Sequence, residues 1–230
     1  ARPMNPGFYA LVGPNAAGKT HYLHTLMGPH AALVPAGADA KFAGTTVDDQ
    51  LRAVAAIYPH VDLDFPNARI RGLSAGQRRL LTIEVALAIG KDLLLLDEPF
   101  DGIDTTTRKQ VRQRLIDYIA ENPQRSVVMA SHRPEDFVGL ATHVIQVFDR
   151  VVSRPVPLDD ARLCFPTVTG PTAEIKDLIA RFPVAETASL GPTTRATFAE
   201  PIGEADVHLP IEYPDDAELI DLLATERPAR

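Results

Sequence analysis

The chain has 230 residues and a mass of 25.0 kDa, and its 45% hydrophobic and 23% charged residues are those of an ordinary globular protein with a full core, not of a disordered or fibrous one. Residues 1–150 balance 16 Lys+Arg against 16 Asp+Glu, while residues 151–230 hold 7 against 14, so the net charge of −7 sits in the last 80 residues. That acidic segment repels phosphate backbones, and the one tight basic group, Arg69, Arg71, Arg78 and Arg79, is a thin basis for a nucleic-acid face, so no nucleic-acid partner is expected.

The opening residues ARPMNPG lack the basic-then-apolar order of a secretory signal, so no export signal is expected in them. Phe8–Val12 is a short apolar run ending at Gly13, followed by a glycine-rich loop and a helix-compatible segment, 19–27, which together predict strand, loop and helix. A short strand is expected over 33–35, and Val47, Leu51, Val54 and Ile57 are spaced for a helix over 46–58. Leu80, Ile83 and Leu87 predict a second helix over 75–89, and the unbroken apolar run Leu93–Leu96 reads as a strand buried on both faces of a parallel sheet. Asp104 is suited to cap a long helix from Thr105. A strand over 127–130, a short helix over 134–140 and a strand over 144–148 complete an alternating pattern that implies a doubly wound α/β core.

Beyond residue 150 the style changes, with ten of the 20 prolines in the final 80 residues. Segments 164–168, 173–182, 184–190, 195–199, 207–209 and 215–224 predict a small β-α-β-β-β-α unit without a catalytic cluster. The lone cysteine, Cys164, excludes an internal disulfide framework and a cysteine-rich zinc site and fits a reducing compartment, with the cytosol as default. No stretch of about eighteen apolar residues occurs, so the chain is not expected to cross a bilayer by itself. The expected domains are 1–150, with a helical subdomain at about 46–90, and a 151–230 extension.

Three motifs carry chemistry. Gly13-Pro14-Asn15-Ala16-Ala17-Gly18-Lys19-Thr20 matches G-x-x-x-x-G-K-[ST] in full. Its glycines let the backbone curl so that N–H groups and a helix N-terminus cradle phosphates, Lys19 neutralises β/γ charge, and the Thr20 hydroxyl is a ligand for Mg2+. Asp97, 78 residues after Lys19, ends the run Leu93–Leu96, where it can hold Mg2+ through water beside the phosphate loop. Glu98 follows, placed to polarise an attacking water, and two carboxylates here point to hydrolysis rather than binding alone. Leu73-Ser74-Ala75-Gly76-Gln77 opens a helix 23 residues before Asp97, counted from Ser74. Alone it reads as a well-capped helix.

Together these residues resemble the ATP-binding cassette (ABC) ATPase family over residues 6–150. GPNAAGKT is similar to its Walker A motif, LLLLDEP to its Walker B motif with the following glutamate, and LSAGQ to its signature with alanine at the second glycine position. Phe100-Asp101-Gly102-Ile103-Asp104 resembles its D-loop, and His132 its switch histidine. The resemblance implies a P-loop NTPase of ABC type, α/β, with a helical subdomain, a reduced antiparallel β subdomain and a small α+β C-terminal extension. It implies an ATPase using ATP and Mg2+, in a head-to-tail dimer with a second ATPase subunit. Each ATP would lie between residues 13–20 of one subunit and Ser74, Gly76 and Gln77 of the other. Glu98 would be the general base, Lys19 and His132 would contact the γ-phosphate, Thr20 and Asp97 would hold the metal, and Asp104 would couple the two sites. The other histidines, His21, His24 and His60 among them, show no partner pattern.

Two departures stand out. Twelve residues of the sequence precede Gly13, so the family's early strands and adenine-stacking aromatic are expected to lack a counterpart. The alignment also puts Ala36 where the Q-loop glutamine belongs, with Gln50 nearby but inside a predicted helix. The leading expectation is the ATP-hydrolysing subunit of a transporter, driving a transmembrane permease carried on a separate chain, cytoplasmic and peripheral on the inner face of the cell membrane. Residues 169–199 are similar to the tail on ATPases of bacterial drug and peptide exporters. The alternatives are an ABC-type regulator or a soluble ABC ATPase with weakened hydrolysis and no membrane partner.

Overall fold

The computed structural model describes residues 4–37, 40–203 and 206–225; the first three residues of the opening segment lie outside this set. Eleven strands and seven helices are described: β1 (Gly7–Val12), α1 (Lys19–Thr25), β2 (Ala31–Val34), α2 (Val47–Ile57), α3 (Ala75–Ile89), β3 (Leu93–Asp97), α4 (Thr105–Glu121), β4 (Ser126–Ala130), β5 (His143–Phe148), β6 (Val151–Val152), β7 (Val156–Pro157), α5 (Leu158–Arg162), β8 (Thr167–Pro171), α6 (Thr172–Ile179), β9 (Val184–Leu190), β10 (Thr193–Phe198), β11 (Ile211–Glu212) and α7 (Asp216–Thr225).

The large sheet runs β2-β3-β4-β1-β5, all parallel, with β6 and β7 antiparallel on the outer edge of β5. Strand side chains alternate between two layers, as a sheet covered on both faces requires. Phe8, Ala10, Val12, Leu94, Leu96, Val127 and Met129 face α3 and α4 through Ile83, Leu87, Val111 and Leu115. Tyr9, Leu11, Leu95, Val128 and Ala130 face α1 through Leu23. β1 is flanked by β4 and β5, and the chain leaves it toward β2 but leaves β4 toward β5, so the carboxyl ends of β1, β3 and β4 border the switch point where α/β sheets place ligands.

The helical segment has its own small core of Val47, Val54, Leu73, Leu81 and Val85, and α2 begins with a reciprocal capping box between Thr46 and Asp49. The predicted helix over 75–89 is found with those bounds, and Asp104 caps α4 by accepting from Thr106 and Thr107 N–H groups at 2.9 and 3.0 Å. Between β4 and β5, only Pro134–Asp136 is helical, as a single 3-10 turn, where a helix over 134–140 was expected. Arg112 takes the carbonyls of Asp136 and Val138, and Gly139 has φ 66°, so the backbone acceptors a longer helix would need serve α4 instead.

After β5 the chain adds the antiparallel sheet β11-β8-β10-β9, packed on α6 around Val168, Ile175, Ala196 and Phe198. The strand expected over 164–168 starts at Thr167, because residues 161–165 finish a helical turn, and 207–209 is not a strand: Val207 is buried and Leu209 packs beneath the sheet. Helices α5 and α7 lie against the large sheet: Leu158, Ala161, Leu219 and Ile220 join the same core as Phe8, and Gln146 Nε2 donates to the Leu223 carbonyl at 2.8 Å. Among the described residues no helix is long and apolar enough to cross a membrane.

Candidate active site

β1 ends at Val12, and at Gly13 the backbone turns at φ 141° and a Cβ would lie 2.1 Å from the Val147 carbonyl oxygen. Only glycine fits so close to the neighbouring strand. The loop then passes through Ala16, a non-glycine residue at φ 62°, to Gly18, whose left-handed backbone opens α1. The turn between β5 and β6 closes on the same loop, with Arg150 N–H donating to the Ala17 carbonyl at 2.9 Å. Lys19 is buried and folds back over the loop, donating from Nζ to the Gly13 and Pro14 carbonyls at 2.7 and 3.1 Å. Burial lowers its pKa, opposed by the charges of Glu98 and Asp97.

Register brings the second motif alongside. Asp97 pairs with Ala130 across β3 and β4, and the Thr20 hydroxyl donates to Asp97 Oδ2 at 2.8 Å. A hydroxyl and a carboxylate thus meet at the first turn of α1, both hard oxygen donors. Glu98 follows at φ 47°, an uncommon conformation for a non-glycine residue, and its N–H is held by the Ala130 carbonyl at 2.9 Å. Its Oε2 lies 2.9 Å from His132 Nδ1. Burial raises the Glu98 pKa, and the hydrogen bond and charge of His132 oppose that rise.

His132 is set by a network that sequence reasoning missed. Ser131 Oγ donates to Asp136 Oδ2 at 2.6 Å and accepts from Arg133 N–H at 3.1 Å, and Arg108 of α4 pairs with the other oxygen of the buried Asp136. The turn after β4 is thereby tied to α4. Nothing but an Asp five residues beyond Ser131 marks this in the sequence.

The structure brings Lys19, Thr20, Asp97, Glu98 and His132 together. Ser74 and Gln77 lie apart from them, exposed, each bonding the other's backbone in the capping box of α3. Gly76 packs near Gly102 and Ile103, so the signature and D-loop segments adjoin. Asp104, exposed, is held ionised by the Thr107 hydroxyl and the Thr106 and Thr107 N–H groups. Gln50 does lie within α2, where its side chain accepts from Ala43 N–H at 2.6 Å. Ala36 follows β2, and Arg79 of α3 caps the Pro35 carbonyl beside it. Arg79 stands four residues before the buried Ile83 on the same helix, a spacing that marks the buried face and not a surface charge.

No protein-family model matches the chain. The ABC transporter ATP-binding protein YtrB of Bacillus subtilis is 32% identical over 117 residues, which span 46% of this chain and 40% of YtrB. A solved ATP-binding subunit of an ABC transporter superposes with a TM-score of 0.59 at 17% identity, covering 69% of this chain and 81% of that one. The fold is that of an ABC ATPase domain. A dimeric ATP-binding cassette in a post-hydrolysis state, bound to ADP and Pi, superposes on this ABC fold with a TM-score of 0.53 at 17% identity, over 68% of this chain and 88% of its own. The aligned stretch thus spans less than half the length of the curated relative.

The network behind His132 gives a direct expectation. Asp136→Ala strips Arg108 and Ser131 of their shared acceptor and should lower stability by about 3 kcal/mol, the low end for breaking a buried pair because Arg108 keeps some solvent contact. Chemical denaturation of the variant and wild type measures it.

Proposed function

We propose that this chain is the ATP-hydrolysing subunit of an ABC transporter. The observation that carries the reading is the convergence of Lys19, Thr20, Asp97, Glu98 and His132 at the carboxyl ends of β1, β3 and β4. The similarity to YtrB, named as an ATP-binding protein of such a transporter, supports it. The nucleotide phosphates would lie over residues 13–20, with loop N–H groups and Lys19 as donors. Lys19 now occupies the loop carbonyls, and a phosphate would take over its ammonium. Thr20 and Asp97 would hold Mg2+, and their hard oxygens suit that ion. The ion supplies neutralisation of charge on the phosphate oxygens.

Glu98 takes the proton of the attacking water. Its raised pKa makes it a stronger base than an exposed carboxylate, and its bond to His132 fixes the carboxylate orientation. Closure would pair two subunits head to tail, with Ser74, Gly76 and Gln77 of each completing the nucleotide site of the other and Asp104 at the seam; the exposure of Ser74, Gln77 and Asp104 fits such a role. The transmembrane permease would be a separate chain, with this subunit on the cytoplasmic face of the membrane.

Two outcomes test the reading. Glu98→Gln keeps the phosphate donors but removes the base, so ATP turnover should fall by about 10²-fold or more while Mg-ATP holds the variant as a dimer in light scattering. A monomer at saturating Mg-ATP would sink the sandwich mechanism. The pH profile of kcat/KM for ATP should also show an acid limb above 4.5, the ordinary glutamate value, because activity needs ionised Glu98 and is lost as pH falls through its raised pKa.

A further inference from the structure

Arg79 is 96% buried by side-chain and backbone exposure together, with 4% of its surface accessible. Its Nη1 donates to the Pro35 carbonyl, but Nε and Nη2 have no hydrogen-bond partner among the described residues. Buried donors without partners are costly, and these two form the side-on fork of a guanidinium, the face that matches two oxygens of a carboxylate or phosphate. The loop beside it, Pro35-Ala36-Gly37, carries no polar side chain, and Nη2 lies 3.0 Å from where a Cβ on Gly37 would stand. Arg79 therefore fills the space that a side chain from this loop would otherwise use.

The position is close to the chemistry. Val34 pairs with Leu96, so Pro35 lies beside Asp97 on the next strand. Arg79 and Asp101 line one cavity of about 390 Å3 between α3 and the loop after β2. Asp101 in turn lies with Glu98 and His132 in a cluster whose ligand-type atoms are all within 4.8 Å of one another. The charges of Asp101, Asp97 and Glu98 all favour the Arg79 cation against its burial.

We propose that Arg79 is a further substrate-binding residue of this site, its Nε–H and Nη2–H fork taking terminal phosphate oxygens of ATP beside Pro35-Ala36-Gly37, a stretch without a polar side chain. The assignment rests on the nucleotide reading above. It gives the site a second cation, beside Lys19, that senses the phosphate present in ATP and missing from ADP. Losing a charge-assisted pair of this kind corresponds to about 10- to 100-fold in affinity.

The test is titration calorimetry of the full chain with Mg-ATPγS and Mg-ADP, alongside thermal unfolding. Arg79→Met is expected to keep or raise the unfolding temperature, since an apolar side chain of similar length removes two unpaired donors. It should lose about tenfold or more in ATPγS affinity while ADP affinity stays within about twofold. An unchanged ratio of the two affinities in folded Arg79→Met overturns the proposal. If that variant does not fold, Arg79→Lys decides: it keeps the charge without the fork, and a reduced ATPγS preference supports the assignment whereas an unchanged one overturns it. A wild-type chain that binds neither nucleotide removes the nucleotide reading itself, and this assignment with it. A wild type that prefers ATPγS, with variants that keep the preference, overturns Arg79 alone.

Discussion

Residues 13–20 must curl at the end of a strand that is buried on both sides, and the rest of the site depends on that constraint. β1 is fixed by β4 and β5, so the loop begins from a rigid point. Gly13 permits the turn because any side chain would strike the Val147 carbonyl. The loop then delivers Lys19 and Thr20 at the start of α1, with Thr20 in hydrogen-bond contact with Asp97 at the end of β3. Since β3 and β4 are in register at Asp97 and Ala130, the residues that follow, Glu98 and His132, meet across the same rim. A short series of local facts therefore converges in space although the residues span more than 110 positions.

Charge organises the same rim. Lys19 and Arg79 are buried cations, one on the phosphate loop and the other beside the edge strand; the charges of Asp97 and Glu98 reach both, and Asp101 reaches Arg79. Desolvation pushes the carboxyl of Glu98 and the ammonium of Lys19 toward their neutral forms, while the charges of Glu98 and Asp97 favour the ammonium and the hydrogen bond and charge of His132 favour the carboxylate. Such opposed pressures make a site responsive to an incoming anion or to pH. The strained backbone of Glu98 fits that pattern, since uncommon conformations persist where the surroundings hold them for function.

The five parallel strands and helices α2, α3 and α4 were legible because the strands are largely apolar runs and these helices announce a cap or a period; β6 and β7 on the sheet edge were not expected. Leu93–Leu96, Ser74 and Asp104 are examples whose local signals agree with the tertiary outcome. The helix expected over 134–140 was not legible as a single turn, because Arg112 captures its carbonyls from another element. α5 was hidden by the proline-rich stretch before it, and the packing of α7 on the large sheet depends on Leu219 and Ile220 meeting a surface more than 60 residues away in sequence. At the site, Lys19, Thr20, Asp97, Glu98 and His132 were readable from motifs. Asp136 and Arg79 were not, because their roles arise from partners on other elements: Asp136 from Arg108 and Ser131, and Arg79 from the Pro35 carbonyl after β2.

The central claim is that the curled loop at the end of β1 holds the phosphates of ATP and that the ammonium of Lys19 is its principal charge. Titration calorimetry of wild type and Lys19→Ala with Mg-ATP tests it most directly. The account predicts saturable binding by the wild type and loss of measurable heat in the variant, with both proteins unfolding at similar temperatures. Equal affinity in the two would contradict it, and would mean that the loop is a structural turn whose lysine serves only its own carbonyls.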